Sequence, residues 1–110
     1  MEPLEKRLAA IMDKSSYLWM FFHSDEADGT LQMVEARLDL PGCTANDFVP
    51  PVGWTLHMIS LVDSFFIRST VPISESAVAE MLNELTRYAD GYGGRLHSWL
   101  HGSENIEDQF

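Results

Sequence analysis

The fold prediction starts from one apolar run, Tyr17-Leu18-Trp19-Met20-Phe21-Phe22, in which aromatic residues occupy alternate positions. Successive side chains of a β-strand point to opposite faces, so a strand over residues 17–22 would be apolar on both faces. Such a strand belongs in the middle of a sheet, where a helix covers one of its faces. What covers the other face is the question on which a functional prediction depends.

Length and composition indicate a single domain. The chain has 110 residues, which is enough for one hydrophobic core and too few for two. We expect an N-terminal helix over residues 1–14, one α+β domain over residues 15–102 and an acidic flexible tail over residues 103–110. No apolar stretch is long enough to span a bilayer, and the single cysteine, Cys43, fits a reducing compartment. These features predict a cytoplasmic protein.

The charge balance narrows the class of partner. The formal net charge is −10, and the chain has only 7 Lys and Arg residues. Binding to a nucleic-acid backbone needs clustered cations, so direct nucleic-acid binding is not expected. An acidic surface can steer the chain toward a basic protein partner, or it can serve solubility alone.

Three helices are predicted from apolar residues spaced by three and four positions. The first covers residues 2–14, with Pro3 at its start. The second begins at Ser24 as an N-cap and ends at Leu40-Pro41-Gly42. The third begins at Ser74 or Ser76 and stops at Gly91. The apolar stripes are Leu4, Leu8, Ile11 and Met12 in the first helix, Ala27, Leu31, Val34 and Leu38 in the second, and Val78, Met81, Leu82, Leu85, Tyr88 and Ala89 in the third.

Four strands complete the predicted fold. The first runs from about residue 17 to His23, the second is a weak strand at Phe48 and Val49, and the third covers residues 54–62. The last covers residues 95–101, and the sequence leaves open whether residues 65–67 continue the third strand or form a loop. The order predicts an α+β ferredoxin-like sandwich of βαββαβ type, with both helices on one face of an antiparallel sheet, plus the short N-terminal helix.

The open face of this sheet is the predicted partner-binding site. If Leu18, Met20 and Phe22 face the helices, alternation turns the intervening residues outward. On the last strand, Leu96 and Leu100 would join the core. The outward side chains are aromatic, imidazole and guanidinium groups, which often anchor protein interfaces. The predicted partner-binding residues are Tyr17, Trp19, Phe21, His23, Arg95, His97 and Trp99, with His101 beside them. Alternatively, the N-terminal helix or the segment from Pro50 covers this face.

No catalytic or metal-binding pattern stands out in the sequence. His97 and His101 are four residues apart, which on a strand is about 13 Å and too far for one metal ion. Cys43 has no histidine near it in sequence, and Gly91-Tyr92-Gly93-Gly94 lacks the lysine of a phosphate-binding loop. We therefore expect no catalytic residues, no metal and no cofactor.

The end of the chain resembles a known family. Residues 82–99, and in particular Gly93-Gly94-Arg95-Leu96-His97-Ser98-Trp99, resemble the end of the RraB family of regulators of ribonuclease E activity. Members end a helix, pass a glycine and finish in a strand reading roughly Tyr-Asp-Gly-Trp. Here Trp99 matches directly, while Leu96, His97 and Ser98 replace the first three residues. Phe22-His23, ahead of an acidic helix start, is similar to the family's opening.

This resemblance implies a ferredoxin-like regulatory protein that binds the ribonuclease and reduces its activity without performing chemistry itself. We therefore expect a non-enzymatic regulator with a protein partner, for which a ribonuclease is the first candidate. The alternative is a dimeric α+β barrel that binds a small molecule or is a small enzyme. In that arrangement two sheets of a homodimer would pair face to face, with the histidines lining a cavity.

Overall fold

The computed structural model describes residues 3–13, 15–16, 18–21, 29–60 and 63–102. Over these residues the chain forms two α-helices, a short 3-10 helix and four strands. The α-helices are α1 (Leu4–Met12) and α2 (Glu75–Gly91), and the 3-10 helix is Leu18–Phe21. The strands are β1 (Leu31–Asp39), β2 (Thr55–Ser60), β3 (Ser64–Pro72) and β4 (Arg95–His101).

The strands form one antiparallel sheet in the order β2-β3-β1-β4. Alternate residues of β1 face α2, and we call this side of the sheet its inner face. The inner face of the two central strands carries Val34, Ala36 and Leu38 on β1 and Phe65 and Ile67 on β3, all fully buried. These side chains and the buried stripe of α2 form the hydrophobic core.

The register between β1 and β4 shifts once, at His97. Leu38 lies opposite Leu96, and Arg37 lies opposite Ser98, so His97 is the extra residue of a bulge. Beyond it, Trp99 lies opposite Ala36 and faces the core. Strict alternation along β4 predicts that Trp99 faces outward. That prediction is wrong, because strict alternation does not allow for the bulge at His97.

The buried indole of Trp99 ties the N-terminal part of the chain to the sheet. Its Nε1 donates a hydrogen bond of 2.9 Å to the backbone carbonyl of Leu18. Leu18 is itself part of the core cluster, and α1 packs against both α2 and the 3-10 helix. The hydrogen bond from Trp99 therefore joins β4 to the 3-10 helix at Leu18–Phe21.

Helix α2 begins and ends at local signals. Its N-cap is Ser74, whose Oγ accepts a hydrogen bond of 3.2 Å from the amide of Ala77. At the other end, the amides of Gly93 and Gly94 donate to the carbonyls of Asp90 and Ala89, respectively, each at 2.9 Å. Gly93 has φ +75°, so the helix ends in a Schellman motif, and the left-handed glycine is two positions after the predicted Gly91.

Residues 40–54 cover part of the inner face beside α2. The ring of Phe48 is buried, 4.8 Å from that of Phe65 and 5.5 Å from that of Tyr92. The amide of Val49 donates to the Tyr92 hydroxyl at 3.0 Å, and the hydroxyl of Tyr88 donates to the Val49 carbonyl. Burial raises the pKa of Tyr88 to about 12, so its hydroxyl keeps the proton that it donates.

Two predicted elements are wrong where the structure describes them. Residues 31–39, predicted as the end of a helix from Ser24, form strand β1, while residues 24–28 lie outside the described part. The stretch contains Leu, Met, Glu, Ala and Arg, which are good helix formers, but pairing on both sides overrides this preference. The predicted central strand is also wrong, because Leu18–Phe21 is a 3-10 helix. An unbroken apolar run does not by itself distinguish the two.

The fold is α+β with an antiparallel sheet, as predicted at that level, but the element order differs from βαββαβ. Three strands follow one another, and residues 40–54 contain no helix between β1 and β2. The weak strand predicted at Phe48 and Val49 is part of this loop. In the described residues no helix has the length and apolar content needed to cross a membrane.

Replacing Trp99 tests its place in the core. Trp99→Ala should lower the free energy of unfolding by about 3–5 kcal/mol, because it leaves a cavity and removes the bond to Leu18. Urea denaturation followed by circular dichroism measures the change. Val52→Ala, at a fully exposed residue, is the control and should stay within about 0.5 kcal/mol. A loss below about 1 kcal/mol for Trp99→Ala would mean that its side chain faces solvent.

Two glycines near the end of α2 form a matched pair. A Cβ at Gly94 would collide with the backbone carbonyl of Asp39 and lie 2.9 Å from the Cα of Leu40. Gly94→Ala should therefore lower the free energy of unfolding by about 1–3 kcal/mol.

Gly91→Ala places its Cβ in open space at the last helical position, so it should raise the free energy of unfolding by about 0.5–1 kcal/mol. Thermal denaturation of both variants checks the pair. Equal effects of the two substitutions would contradict the close approach of Gly94 to β1.

Candidate functional site

The two tryptophans of the predicted aromatic face do not lie on the surface. Trp99 is fully buried, and Trp19 is only 6% exposed. Tyr17, His23 and the side chain of Phe21 lie outside the part of the chain that the structure describes. Among the predicted partner-binding residues whose side chains are described, Arg95 and His97 reach the surface, and they do so at the same place.

The outer face of the sheet carries paired charges at its centre. The Arg68 Nε lies 2.8 Å from Glu35 Oε1, although Glu35 is 1% exposed. On the same face Arg37 Nε lies 2.8 Å from Asp39 Oδ1, and Ser64 donates to that oxygen at 3.3 Å. A carboxylate as buried as that of Glu35 is costly without a partner, so the Arg68 guanidinium is part of the fold.

A cleft of about 400 Å³ lies between α1, the 3-10 helix and the start of β4. Its apolar lining comes from Ala10, Ile11, Leu18 and Leu96. Ser16, Arg95 and His97 supply its polar groups. The two predicted residues thus lie in a concave site, but with an aliphatic lining in place of the predicted aromatic one.

Arg95 is the loosely held cation of this cleft. Its side chain is 69% exposed, and its Nη2 lies 3.8 Å from Asp39 Oδ2. Asp39 has closer partners in Arg37 and Ser64. Of the described residues that line the cleft, only Arg95 carries a charge at neutral pH, and that charge is positive, whereas the whole chain has a net charge of −10.

His97 is held as a neutral imidazole at neutral pH. Burial lowers its pKa first, and the Arg37 guanidinium lowers it further, while Asp39 opposes the change and Arg95 adds to it. Its Nδ1 lies 2.9 Å from Ser98 Oγ. The ring can therefore accept or donate one more hydrogen bond without carrying charge.

A second surface lies at the opposite edge of the sheet. β2 pairs with β3 on one side and, among the described residues, with no strand on the other. Residues 48–62 contain no Asp, Glu, Lys or Arg. This part of the chain holds four exposed apolar residues, Val49, Val52, Leu56 and Met58. We call β2 together with residues 49–54 the uncharged edge.

A groove of about 500 Å³ adjoins the uncharged edge. Pro51, Val52 and Trp54 line one side of it, and the α2 residues Glu84, Arg87 and Tyr88 line the other. The uncharged edge therefore continues into a concave surface with one acidic and one basic side chain.

The remaining candidates for chemistry have structural roles. His101, on β4 like His97, lies with Nδ1 3.0 Å from Gln32 Oε1, and its ring stacks 5.5 Å from that of Trp99. Burial raises the pKa of the Cys43 thiol, with the Asp47 carboxylate adding to the effect, and a thiol in that state is a poor nucleophile. The described residues contain no group of three His, Cys, Asp or Glu side chains that could hold a metal ion.

Sequence reasoning missed both the lining of the cleft and the uncharged edge. Ser16 and Ala10 become neighbours of His97 only through packing, and the sequence carries no sign of this. The uncharged edge does leave a sign, because residues 48–62 lack charge in a chain that has 17 acidic residues.

Comparisons of this chain with protein-family models, with curated proteins and with solved structures give no match. The resemblance to the RraB family stays a prediction.

The titration of His97 reports the electrostatics of the cleft. Its midpoint, followed by NMR of the imidazole ring, should lie below 6.5, the ordinary value for histidine. Because the pKa of His97 is lower in the folded state, the unfolded chain binds this proton at a higher pH than the folded chain does. The stability that neutral His97 contributes is therefore complete above pH 6.5 and is lost as the pH falls through the folded-state pKa. His97→Gln should remove that part of the pH dependence in urea denaturation. A midpoint at or above 6.5 would contradict the burial of the ring beside Arg37.

Proposed function

We propose that this protein is a non-enzymatic regulator that binds a protein partner along the uncharged edge. One observation carries the proposal: an edge strand with exposed apolar side chains lies in the segment, residues 48–62, that is free of charge in an otherwise acidic chain. This surface replaces the aromatic face predicted from the sequence, since Trp19 and Trp99 are buried.

The geometry of β2 suits the addition of a strand from the partner. An edge strand presents main-chain donors and acceptors to an incoming extended segment. Leu56 lies opposite Ile67 and Met58 lies opposite Phe66, so these exposed side chains project on the two faces of the sheet. A strand added to β2 would meet an apolar side chain on each face. The bulge at His57 limits indiscriminate pairing of this edge.

The charge of the chain selects the kind of partner. A net charge of −10 attracts a basic protein over distances of about 10 Å, while the uncharged edge supplies the close contact. A ribonuclease has a cationic surface for RNA phosphates, and an acidic protein bound beside that surface would compete with RNA. This agrees with the partner implied by the RraB resemblance.

We also propose that the fold is a variant of the ferredoxin-like sandwich in which residues 40–54 replace the first helix. The central positions of β1 and β3 support this relation. So does the connection from β3 through α2 to β4, which crosses β1.

The alternative of a face-to-face dimeric barrel has less support. On the outer face Glu35, Ser64 and Phe66 are already buried within one chain. A second sheet would find little free area at the centre of that face. The uncharged edge, in contrast, is exposed.

The test compares two substitutions of an exposed apolar residue by lysine. Met58→Lys places a charge on the uncharged edge, and Leu31→Lys places the same charge on β1 at a residue that is 63% exposed. Purified ribonuclease E from the same organism is assayed for RNA cleavage with wild-type protein or with each variant. Wild-type protein and Leu31→Lys should reduce the cleavage rate equally, and Met58→Lys should weaken the inhibition at least tenfold.

Two outcomes separate the parts of this proposal. If wild-type protein leaves cleavage unchanged, the ribonuclease is not the partner. If Met58→Lys and Leu31→Lys inhibit equally, the partner does not bind at β2. Circular dichroism of both variants checks that each keeps the fold.

A further inference from the structure

We propose that the cleft beside β4 binds a small monocarboxylate that has a short apolar tail. The cleft has a volume of about 400 Å³, within the range of small-molecule sites. It lies at the sheet edge opposite β2, so this site is separate from the uncharged edge. The proposal does not depend on a protein partner.

Arg95 supplies the group that binds the carboxylate. Its guanidinium lies 3.8 Å from Asp39, a longer separation than the 2.8 Å of the Arg37–Asp39 pair. Arg95 can leave Asp39 at little cost, because Arg37 and Ser64 continue to neutralise and hydrogen-bond that carboxylate. A guanidinium binds a carboxylate through two parallel hydrogen bonds, which a single weak contact with Asp39 does not use.

His97 supplies a second hydrogen bond. With its Nδ1 accepting from Ser98 Oγ–H, the ring carries its proton on Nε2 and donates to an anion. This tautomer satisfies the serine and the ligand together. Because the neutral ring donates, the site does not need an imidazolium at neutral pH.

The lining of the cleft selects an apolar tail. Ile11, Leu18 and Leu96 are aliphatic, and Leu18 and Leu96 belong to the hydrophobic core. Each methylene that enters such a lining strengthens binding by about threefold to fourfold. A head group without a tail would leave this lining in water.

The charges around the cleft favour a single negative charge on the ligand. Arg95 is the one charged side chain among the described residues that line the cleft, and a monocarboxylate neutralises it. A doubly charged phosphate group would be repelled more strongly by the remaining acidic residues of a chain whose net charge is −10. The chemistry therefore indicates a carboxylate before a phosphate.

Octanoate is the probe, with octan-1-ol, acetate and inorganic phosphate as comparisons. Titration calorimetry on the full chain should show that octanoate binds and that octan-1-ol binds at least tenfold more weakly. Acetate and phosphate should show no binding at millimolar concentration. In NMR spectra octanoate should shift the amide signals of Ile11, Leu96 and His97.

Two matched pairs of variants test the head-group and tail contacts. Arg95→Gln should weaken octanoate binding at least tenfold and leave octan-1-ol unchanged, whereas Arg87→Gln, an equal change of charge on α2, should change neither. Ala10→Phe fills the cleft from an exposed helix position and should abolish octanoate binding. Ala9→Phe, at the neighbouring exposed position, should not.

Several results would overturn the proposal. The first is that octanoate does not bind at millimolar concentration, and the second is that Arg95→Gln and wild type bind it with equal affinity. The third is that the NMR shifts are confined to the groove at residues 51–54, and the fourth is that phosphate binds more tightly than octanoate. Met58→Lys should leave octanoate binding unchanged. The octanoate measurements therefore test the cleft independently of whether a protein partner binds at β2.

Discussion

The single extra residue of β4, His97, determines how the two ends of the chain meet. Because the register shifts there, Leu96 and Trp99 both face the core, and the Trp99 indole reaches the carbonyl of Leu18. The same shift leaves the imidazole of His97 at the strand edge, where it lines the cleft. Without the bulge, Trp99 would face outward, and the 3-10 helix would lose its buried hydrogen bond. The hydrogen bond between Trp99 and the 3-10 helix and the position of His97 in the cleft thus both depend on this bulge.

The two edges of the sheet differ in the chemistry that they offer. At the β2 edge no second strand of the described part of the chain pairs with β2, and the exposed side chains there include uncharged apolar ones, which suits an extended segment of another protein. The 3-10 helix packs against β4, α1 packs against α2 and the 3-10 helix, and a cleft with a cation at its rim lies between these elements. Between them, internal ion pairs such as Glu35–Arg68 lie at the centre of the outer face. Both proposed sites therefore lie at edges of the sheet, and its outer face has a structural role.

Sequence signals located the elements whose boundaries are local. Helix α2 follows from its apolar stripe, its Ser74 cap and the glycines after it, and β2 and β4 lie within the predicted strands. The errors fall on stretches whose state depends on distant partners. Residues 31–39 satisfy helical and alternating patterns equally, and only pairing with β3 and β4 decides between them. The predicted site was wrong at Trp99 because a bulge leaves no local mark in the sequence.

The central position of β1 has a consequence for synthesis on the ribosome. Its two neighbours, β3 and β4, are both made after it, and β4 comes more than a helix later. Until residues 75–91 have left the exit tunnel, Val34, Ala36 and Leu38 have no helix to cover them. The nascent chain therefore carries an apolar segment that a chaperone would recognise, and the Leu18 carbonyl gains its hydrogen-bond donor only when Trp99 emerges.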